Sequence, residues 1–431
     1  MSRILASNGA RLPNKNNASI NGAQGVFMRH SVSLLAILTG LGLASPALAG
    51  PLDPIEVSEG VTLDPLLDAR FRIETADQPT FPDNASSVTI RARAGAELKV
   101  DGFSLLAEGE FTGALDDSYN DTIPGNGIEP FPVIADPETA ELNRLHIGYK
   151  KDGFGLTVGR QRIIHDDARF LGNVVWRQNE QTFDAVRAQA EFGPVEIDAS
   201  YANSQRTIFG SDSPNEEFEG DLFLARGALN LDKVKVVAYT YQIDYDTRVA
   251  FSSGTFGLTA SGSIPAGPVT IGLKASYATQ SDIGSNPVTY DADYLLAEGS
   301  LKVAGFTLRA QYEELGSDDG IAAFQTPLAT AHKFNGFADL FLVTPATGLR
   351  DTNFRVVKNF KVPGLPGGIT ALVTYHEFDS DFGGIDYGTE FDAVVRFKVG
   401  PVGLLAKYGN YQADSFAVDT ERFTLQAGIS F

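Results

Sequence analysis

The chain contains no cysteine, which excludes a disulfide scaffold, a thiolate metal site and a cysteine nucleophile. After residue 49 no apolar run approaches the roughly 20 residues that a membrane-spanning helix requires. Histidine is scarce, with only His146, His165, His332 and His376 beyond that point. Base is scarce as well, at 34 Lys and Arg against 54 Asp and Glu for a net charge of −20. The first 49 residues hold four of those bases (Arg3, Arg11, Lys15, Arg29) and no acid, so residues 50–431 carry −24. A chain so short of base cannot neutralise the phosphates of a duplex, which argues against nucleic-acid binding. What is abundant is 44 Gly, 29 Phe and 14 Tyr, a mixture of turn formers and strand formers.

Met28-Arg29-His30 precedes an apolar run from Val32 to Leu43 and then Ala44-Ser45-Pro46-Ala47-Leu48-Ala49-Gly50. A basic start, a short apolar core and small residues before a cut are the three parts of a secretory signal peptide. Residues 1–49 are therefore expected to be a signal peptide cleaved at Ala49–Gly50. A start at Met28 would make residues 1–27 an extension of it.

Period-two alternation dominates the remainder. Phe423, Leu425, Ala427, Ile429 and Phe431 alternate with Thr424, Gln426, Gly428 and Ser430. Leu67, Ala69, Phe71 and Ile73 do so against Asp68, Arg70, Arg72 and Glu74, and Ile90 to Leu98 and Val269 to Tyr277 repeat it. Successive side chains of a strand face opposite sides, so each run has an apolar and a polar face. Export, strands of about ten residues and a terminal Phe431 inside an alternating strand favour a membrane barrel over a soluble sandwich.

Connection lengths give the strand count. Short turns are predicted at 100–102, 150–153, 193–194, 230–232, 264–268, 303–305, 361–368 and 399–401. Longer polar stretches lie at 75–86, 112–140, 163–181, 202–220, 244–255, 279–291, 314–351, 379–389 and 411–419. These alternate strictly, as short periplasmic turns and long extracellular loops do. The expected fold is all-β, a transmembrane antiparallel β-barrel of 18 strands over residues 63–431, after a short periplasmic segment at 50–62. Lys333–Val343 resembles a strand, but counting it would break the parity, so it is placed in loop seven, folded over or into the channel. No plug domain is expected, since only about a dozen residues separate the expected cleavage point from Leu63.

Several motifs resemble the alginate-export porin family of Gram-negative outer membranes. They are Gly159-Arg160-Gln161, Arg169-Phe170-Leu171-Gly172-Asn173, and Trp176-Arg177-Gln178-Asn179-Glu180-Gln181-Thr182-Phe183-Asp184. Glu141-Leu142-Asn143, Phe334 to Asp339 and Gly348-Leu349-Arg350-Asp351 resemble it too. The resemblance implies a monomeric 18-stranded barrel whose lumen is lined with arginines and narrowed by infolded loops. Trp176, Arg177, Gln178, Asn179, Gln181, Asp184, Asp339, Arg350 and Asp351 are the motif residues carried over.

Assigning faces by period sends Arg70, Arg72, Arg91, Arg93, Arg144, Arg187, Arg226, Arg309, Arg355, Arg396, Lys398, Lys407 and Arg422 inward. The acids opposite them are Asp68, Glu74, Glu97, Glu108, Glu110, Glu191, Glu196, Asp198, Glu313 and Asp392. Loop three is expected to add Arg160, Arg162, Arg169 and Arg177 beside a constriction. Loop two contributes only acids: Asp116, Asp117, Asp121, Glu129, Asp136 and Glu138. Each arginine can either hold a polar interior together through carboxylates or select solutes with its planar, permanently charged fork. The selectivity candidates are Arg70, Arg72, Arg91, Arg93, Arg144, Arg160, Arg162, Arg169, Arg177, Arg187, Arg309 and Arg355.

No spaced ligand set marks a calcium loop, and no metal or cofactor is expected. No Ser-containing motif accompanies His146 or His376, and His165-Asp166-Asp167 reads as an ordinary polar contact, so no enzyme is expected. Gly364–Gly368 lacks the ending of a phosphate-binding loop. The expected function is an outer-membrane channel for small hydrophilic solutes, anionic or carbohydrate. The alternative is a structural or adhesive surface barrel whose pore is blocked by its loops. Expected partners are lipid and lipopolysaccharide, the solutes themselves, and the barrel-insertion machinery, which would recognise Phe431.

Overall fold

The computed structural model describes residues 53–431. The expected signal peptide falls outside them. Eighteen antiparallel strands form a closed barrel, essentially without helix. In chain order they are β1 (Val61–Asp77), β2 (Ala85–Val100), β3 (Phe103–Ser118), β4 (Thr139–Lys151), β5 (Phe154–Gln161) and β6 (Thr182–Phe192). Then come β7 (Val195–Arg206), β8 (Glu217–Asn230), β9 (Val234–Tyr245), β10 (Ser253–Ala266), β11 (Val269–Asp282) and β12 (Asp291–Val303). The last six are β13 (Phe306–Leu315), β14 (Leu349–Val362), β15 (Leu365–Asp379), β16 (Asp386–Val399), β17 (Val402–Ala413) and β18 (Thr420–Ser430).

Each strand pairs with its sequence neighbour, and β1 closes the circle on β18 from Asp68↔Ser430 to Asp77↔Glu421. The Phe431 amide completes the seam, donating to the Leu67 carbonyl at 2.8 Å. The first strand begins at Val61, two residues before the expected Leu63. A short strand, Ile55–Ser58, folds back on its start, pairing Ile55 with Leu63.

The eight short turns and nine loops fall where alternation ends. The turns are tight because the chain adopts left-handed backbone there: Asp101 has φ 43°, Asp152 φ 50° and Ala304 φ 50°, each followed by a glycine. The barrel is polar inside and apolar outside. Along β2, Arg91 and Arg93 are buried while their neighbour Ile90 faces out. Leu105, Ile147, Leu273 and Phe354 are 46–61% exposed on the outer wall. Such a continuous apolar band would be untenable in water and suits the hydrocarbon layer.

Lys333–Val343 forms no barrel strand. It lies in loop seven (residues 316–348) with Phe337, Ala338 and Phe341 buried and Leu342 and Val343 exposed; Phe341 packs against Phe378 at 4.6 Å and Phe416 at 5.2 Å. An apolar cluster including Leu171, Tyr241, Tyr294, Phe324, Leu328 and Phe378 anchors loops three and seven inside the upper barrel.

Candidate functional site

Strands β1 to β7 present most of the candidate arginines, and each of these except Arg70 meets a carboxylate. Arg72 donates to Asp136 at 3.1 Å, and Arg144 grips Glu108 through Nε and Nη2 at 2.9 and 2.7 Å. Arg187 Nε lies 2.9 Å from Asp198, while Arg91 pairs with Asp68 and Arg93 with Glu110. Asp136 comes from loop two (residues 119–138), which was expected to keep its acids outside. Its carboxylate is instead fully buried, accepting from Arg72 and from the Gln178 amide at 2.7 Å. A buried guanidinium needs such a partner, because desolvating an unpaired charge costs several kcal/mol or more.

Loop three (residues 162–181) crosses the lumen and is gripped from every side. Arg177 reaches Glu74 of β1 at 3.2 Å and Asp339 of loop seven at 2.6 Å. Gln178 donates to Thr89 at 2.7 Å, and Asn179 accepts from Thr112 at 2.7 Å. Glu180 takes Asn143, Asn173 and Arg162 as donors and lies 3.4 Å from Arg93. Arg169 binds Glu313 at 2.7 Å and Asn335 at 3.2 Å.

Loops three and seven are also joined backbone to backbone. The Gly172 amide donates to Leu328 O at 2.9 Å and the Thr330 amide to Ala168 O at 3.0 Å. Gly172 is required here, because a Cβ would lie 2.2 Å from Thr330 Oγ1 and 2.7 Å from Ala168 Cβ. Most of the motif residues therefore form a belt, built from loops two, three and seven, that is tied to the wall. Asp351 supports it from β14, binding His376 at 2.9 Å and Asn335 at 3.1 Å. Arg350 lies at the outer rim, against Glu314 at 2.8 Å and Asp381.

At the centre of the belt, His332 is held between opposite charges. Asp339 Oδ1 is 2.6 Å from its Nδ1, Lys407 Nζ donates to its Nε2, and Trp176 stacks on its ring at 4.4 Å. Burial pushes the imidazole down to about 3, with Lys407 and Arg177 working in the same direction against Asp339. Burial opposes ionisation of Asp339, yet His332 and Arg177 hold its carboxyl well below the usual carboxylate range. A neutral ring donating to an ionised carboxylate satisfies all three groups.

Three lumen cavities remain beside the belt. One, of about 180 Å³, lies between loops three and seven and β11 to β15. Each of its acids has a base: Asp167 pairs with Lys274 at 2.6 Å, Glu298 with Arg309 at 3.4 Å, and Glu313 with Arg169. Lys333 and Arg355 are left over. Lys333 donates only to the Asp167 backbone carbonyl at 2.7 Å, and Arg355 only to Thr374 Oγ1 at 2.9 Å.

A second, of about 230 Å³, is lined by His165, Asp166, Tyr239, Tyr241 and Lys274, and its charges are matched. His165 contacts Tyr241 OH at 3.2 Å and lies 3.6 Å from Asp198. The third, of about 520 Å³, is a vestibule at the end carrying the short turns. It holds Arg70, Arg91, Arg396 and Lys398 against Asp68 alone.

Placement differs from expectation for one candidate. Arg160 is not in loop three, because β5 runs through Gln161. The register sets it beside Leu145 and Asp184, on the face that carries outward Ile147 and Val158. It pairs with Asp184 at 2.8 Å, away from the lumen. Gly159, at φ 119°, has no room for a Cβ against Leu145 O. Lys274, Lys333 and Glu180 were not singled out from sequence, although Glu180 stands inside the longest motif. Among the described residues, no cluster of three or more His, Asp or Glu side chains has metal-binding geometry.

A family model described as alginate export matches residues 66–321, more than half of the chain. No curated protein matches it by sequence. Among solved structures, Pseudomonas aeruginosa OccK9 (OpdG) superposes with TM-score 0.67 at 17% identity, covering 86% of this chain and 99% of that one. Acinetobacter baumannii OccAB4 gives 0.67 at 14% identity, covering 88% and 99%. Pseudomonas aeruginosa OpdK, solved with vanillate, gives 0.66 at 14% identity, covering 85% and 98%. The chain belongs to the alginate-export family of outer-membrane β-barrel channels.

Proposed function

We propose that this channel passes small anionic or polyhydroxylated solutes, and that its selectivity rests on the few lumen bases left without a carboxylate. The observation that carries this reading is that two lumen cavities hold bases with no carboxylate partner while every acid lining those cavities is paired. Lys333 and Arg355 remain in the upper cavity, and Arg70, Arg396 and Lys398 in the vestibule. Wall charges act on a solute at contact, and the loop acids beside the cavities are already paired, Asp167 with Lys274 and Asp339 with Arg177, while charges more than a Debye length of about 8 Å away are screened. Vanillate, found with OpdK, carries a carboxylate and is a suitable trial solute. The density of the loop belt favours a second reading, a barrel closed at rest with a structural role.

Reversal potentials in planar bilayers under a salt gradient test the first reading. The wild type should be anion-selective, and K333Q/R355Q should move towards non-selectivity with folding unchanged. A cation-selective wild type overturns it, and lasting electrical silence of folded protein favours the closed barrel. The same reading takes residues 1–49 as an export signal cut at Ala49–Gly50, followed by a short periplasmic segment. It also takes the chain as a monomer inserted through recognition of Phe431, with its outer loops against lipopolysaccharide.

A further inference from the structure

Of the candidate arginines, Arg70 is bonded least as its chemistry would suggest. Its Nη1 donates to three consecutive loop-three carbonyls, Val175 at 3.2 Å, Trp176 at 3.1 Å and Arg177 at 3.0 Å, and Nη2 also reaches Val175 O at 3.2 Å. No carboxylate lies within salt-bridge distance among the described residues. A guanidinium binds a carboxylate through two parallel charge-assisted bonds roughly twice as strong as neutral ones. Here backbone dipoles stand in for that partner.

Two further features meet at this point. Arg70 borders the vestibule, whose other surplus bases, Arg396 and Lys398, bond to nothing among the described residues. The loop segment it holds begins at Val174, whose φ of +50° is one that a β-branched side chain seldom adopts. Val175 beyond it is 51% exposed. The apex of loop three is thus a strained turn whose Val175 carbonyl is held only by a cation facing an anion-attracting chamber, while Arg72 shares the Trp176 carbonyl and the Val174 amide donates to Thr330 Oγ1.

We propose that the vestibule is a carboxylate-binding site, and that a carboxylate entering it from the periplasmic side draws Arg70 off the loop-three apex. Binding there frees the Val175 carbonyl and leaves the Trp176 carbonyl to Arg72 alone, while the Val174 amide keeps Thr330 Oγ1. Residues 177–181 stay fixed, because Arg177 keeps Glu74 and Asp339 and the Gln178 amide keeps Asp136. The vestibule therefore admits solute and loosens the tip of loop three above it in one event. This rests on the reading of the lumen as anion-selective.

Trp176 is the sole tryptophan and sits on the held turn, its ring 4.3 Å from the Arg72 guanidinium. Its fluorescence in the purified full-length protein reports the apex directly. Sodium succinate, compared with sodium chloride at equal ionic strength, should give a saturable change. In R396Q/K398Q, where the Arg70 bonds remain, the half-saturation point should rise by about tenfold, as loss of a charge-assisted contact implies. R70Q should show the succinate-saturated spectrum without succinate. An identical response to chloride, a double variant that titrates like wild type, or no response to succinate overturns the proposal. An anion-selective channel silent to succinate would remove the latch and leave the selectivity reading standing. A saturable response in a cation-selective channel would support the latch alone.

Discussion

The two sides of the lumen wall use the same cation for different ends. On the side of β1 to β7, Arg72, Arg91, Arg93, Arg144 and Arg187 each face a buried or half-buried carboxylate. There the loop belt presses closest. On the side of β13 to β16, Arg355, Arg396 and Lys398 face open cavity without an acid partner. Residue type is therefore no guide to role in a barrel lumen. What separates scaffold from selectivity is whether the opposite strand or the incoming loop supplies a carboxylate. Arg70 is the exception on the first side, and backbone carbonyls fill the place of the acid.

The comparison is broken most directly at Arg177 and Arg355. Arg177→Gln leaves Glu74 and Asp339 short of a partner in a fully buried setting. Losing one member of a buried pair costs about 3–5 kcal/mol, so urea unfolding in detergent should shift by that order. Arg355→Gln should leave stability within about 0.5 kcal/mol while moving the reversal potential. Equal destabilisation by the two would mean that the partnered and unpartnered arginines do not differ as described.

A smaller effect is expected where the loops touch each other instead of the wall. Gly172→Ala places a methyl 2.2 Å from Thr330 Oγ1, and the two loops must part to admit it. Overpacking of this kind costs typically about 1–3 kcal/mol. Because the strain falls between loops three and seven, single-channel conductance should rise while the barrel stays intact on heated and unheated gels. An unchanged conductance would show that the contact does not set the aperture.

The barrel was legible because its signal is local. Alternation identifies strands one at a time, and the contrast of short turns with long loops sets count and orientation without any knowledge of packing. Even Lys333–Val343 could be set aside by parity alone. Inward placement of Arg72, Arg93 and Arg187 followed from the same period. Pairing did not, because the partners are remote in sequence: Asp136 reaches Arg72, and Asp339 reaches Arg177 across 162 positions. Loop insertion has no period to reveal it. The acids of loop two looked solvated for that reason, although Asp136 is buried. Lys333 was hidden for a related reason, lying in a segment whose apolar residues drew attention to packing.

Arg160 marks the smallest expected effect and the sharpest test of face assignment. Sequence spacing groups it with Arg162, Arg169 and Arg177, yet the β5 register sets it on the outer side of the wall with Asp184. Its second bond, to Leu142 O at 3.0 Å, runs to the neighbouring strand at the rim. A partly exposed pair of this kind contributes about 1 kcal/mol or less. Arg160→Gln should therefore lower stability slightly and leave the reversal potential where it was, since the wall stands between that charge and the permeating ion. Arg162→Gln is the internal control, because Arg162 faces Glu180 and Glu108 inside the barrel. It should cost more stability than Arg160→Gln for the same change of charge. A shift in selectivity from Arg160→Gln as large as that from Arg355→Gln would place Arg160 in the solute path, and the register of β5 would then have to move by one residue.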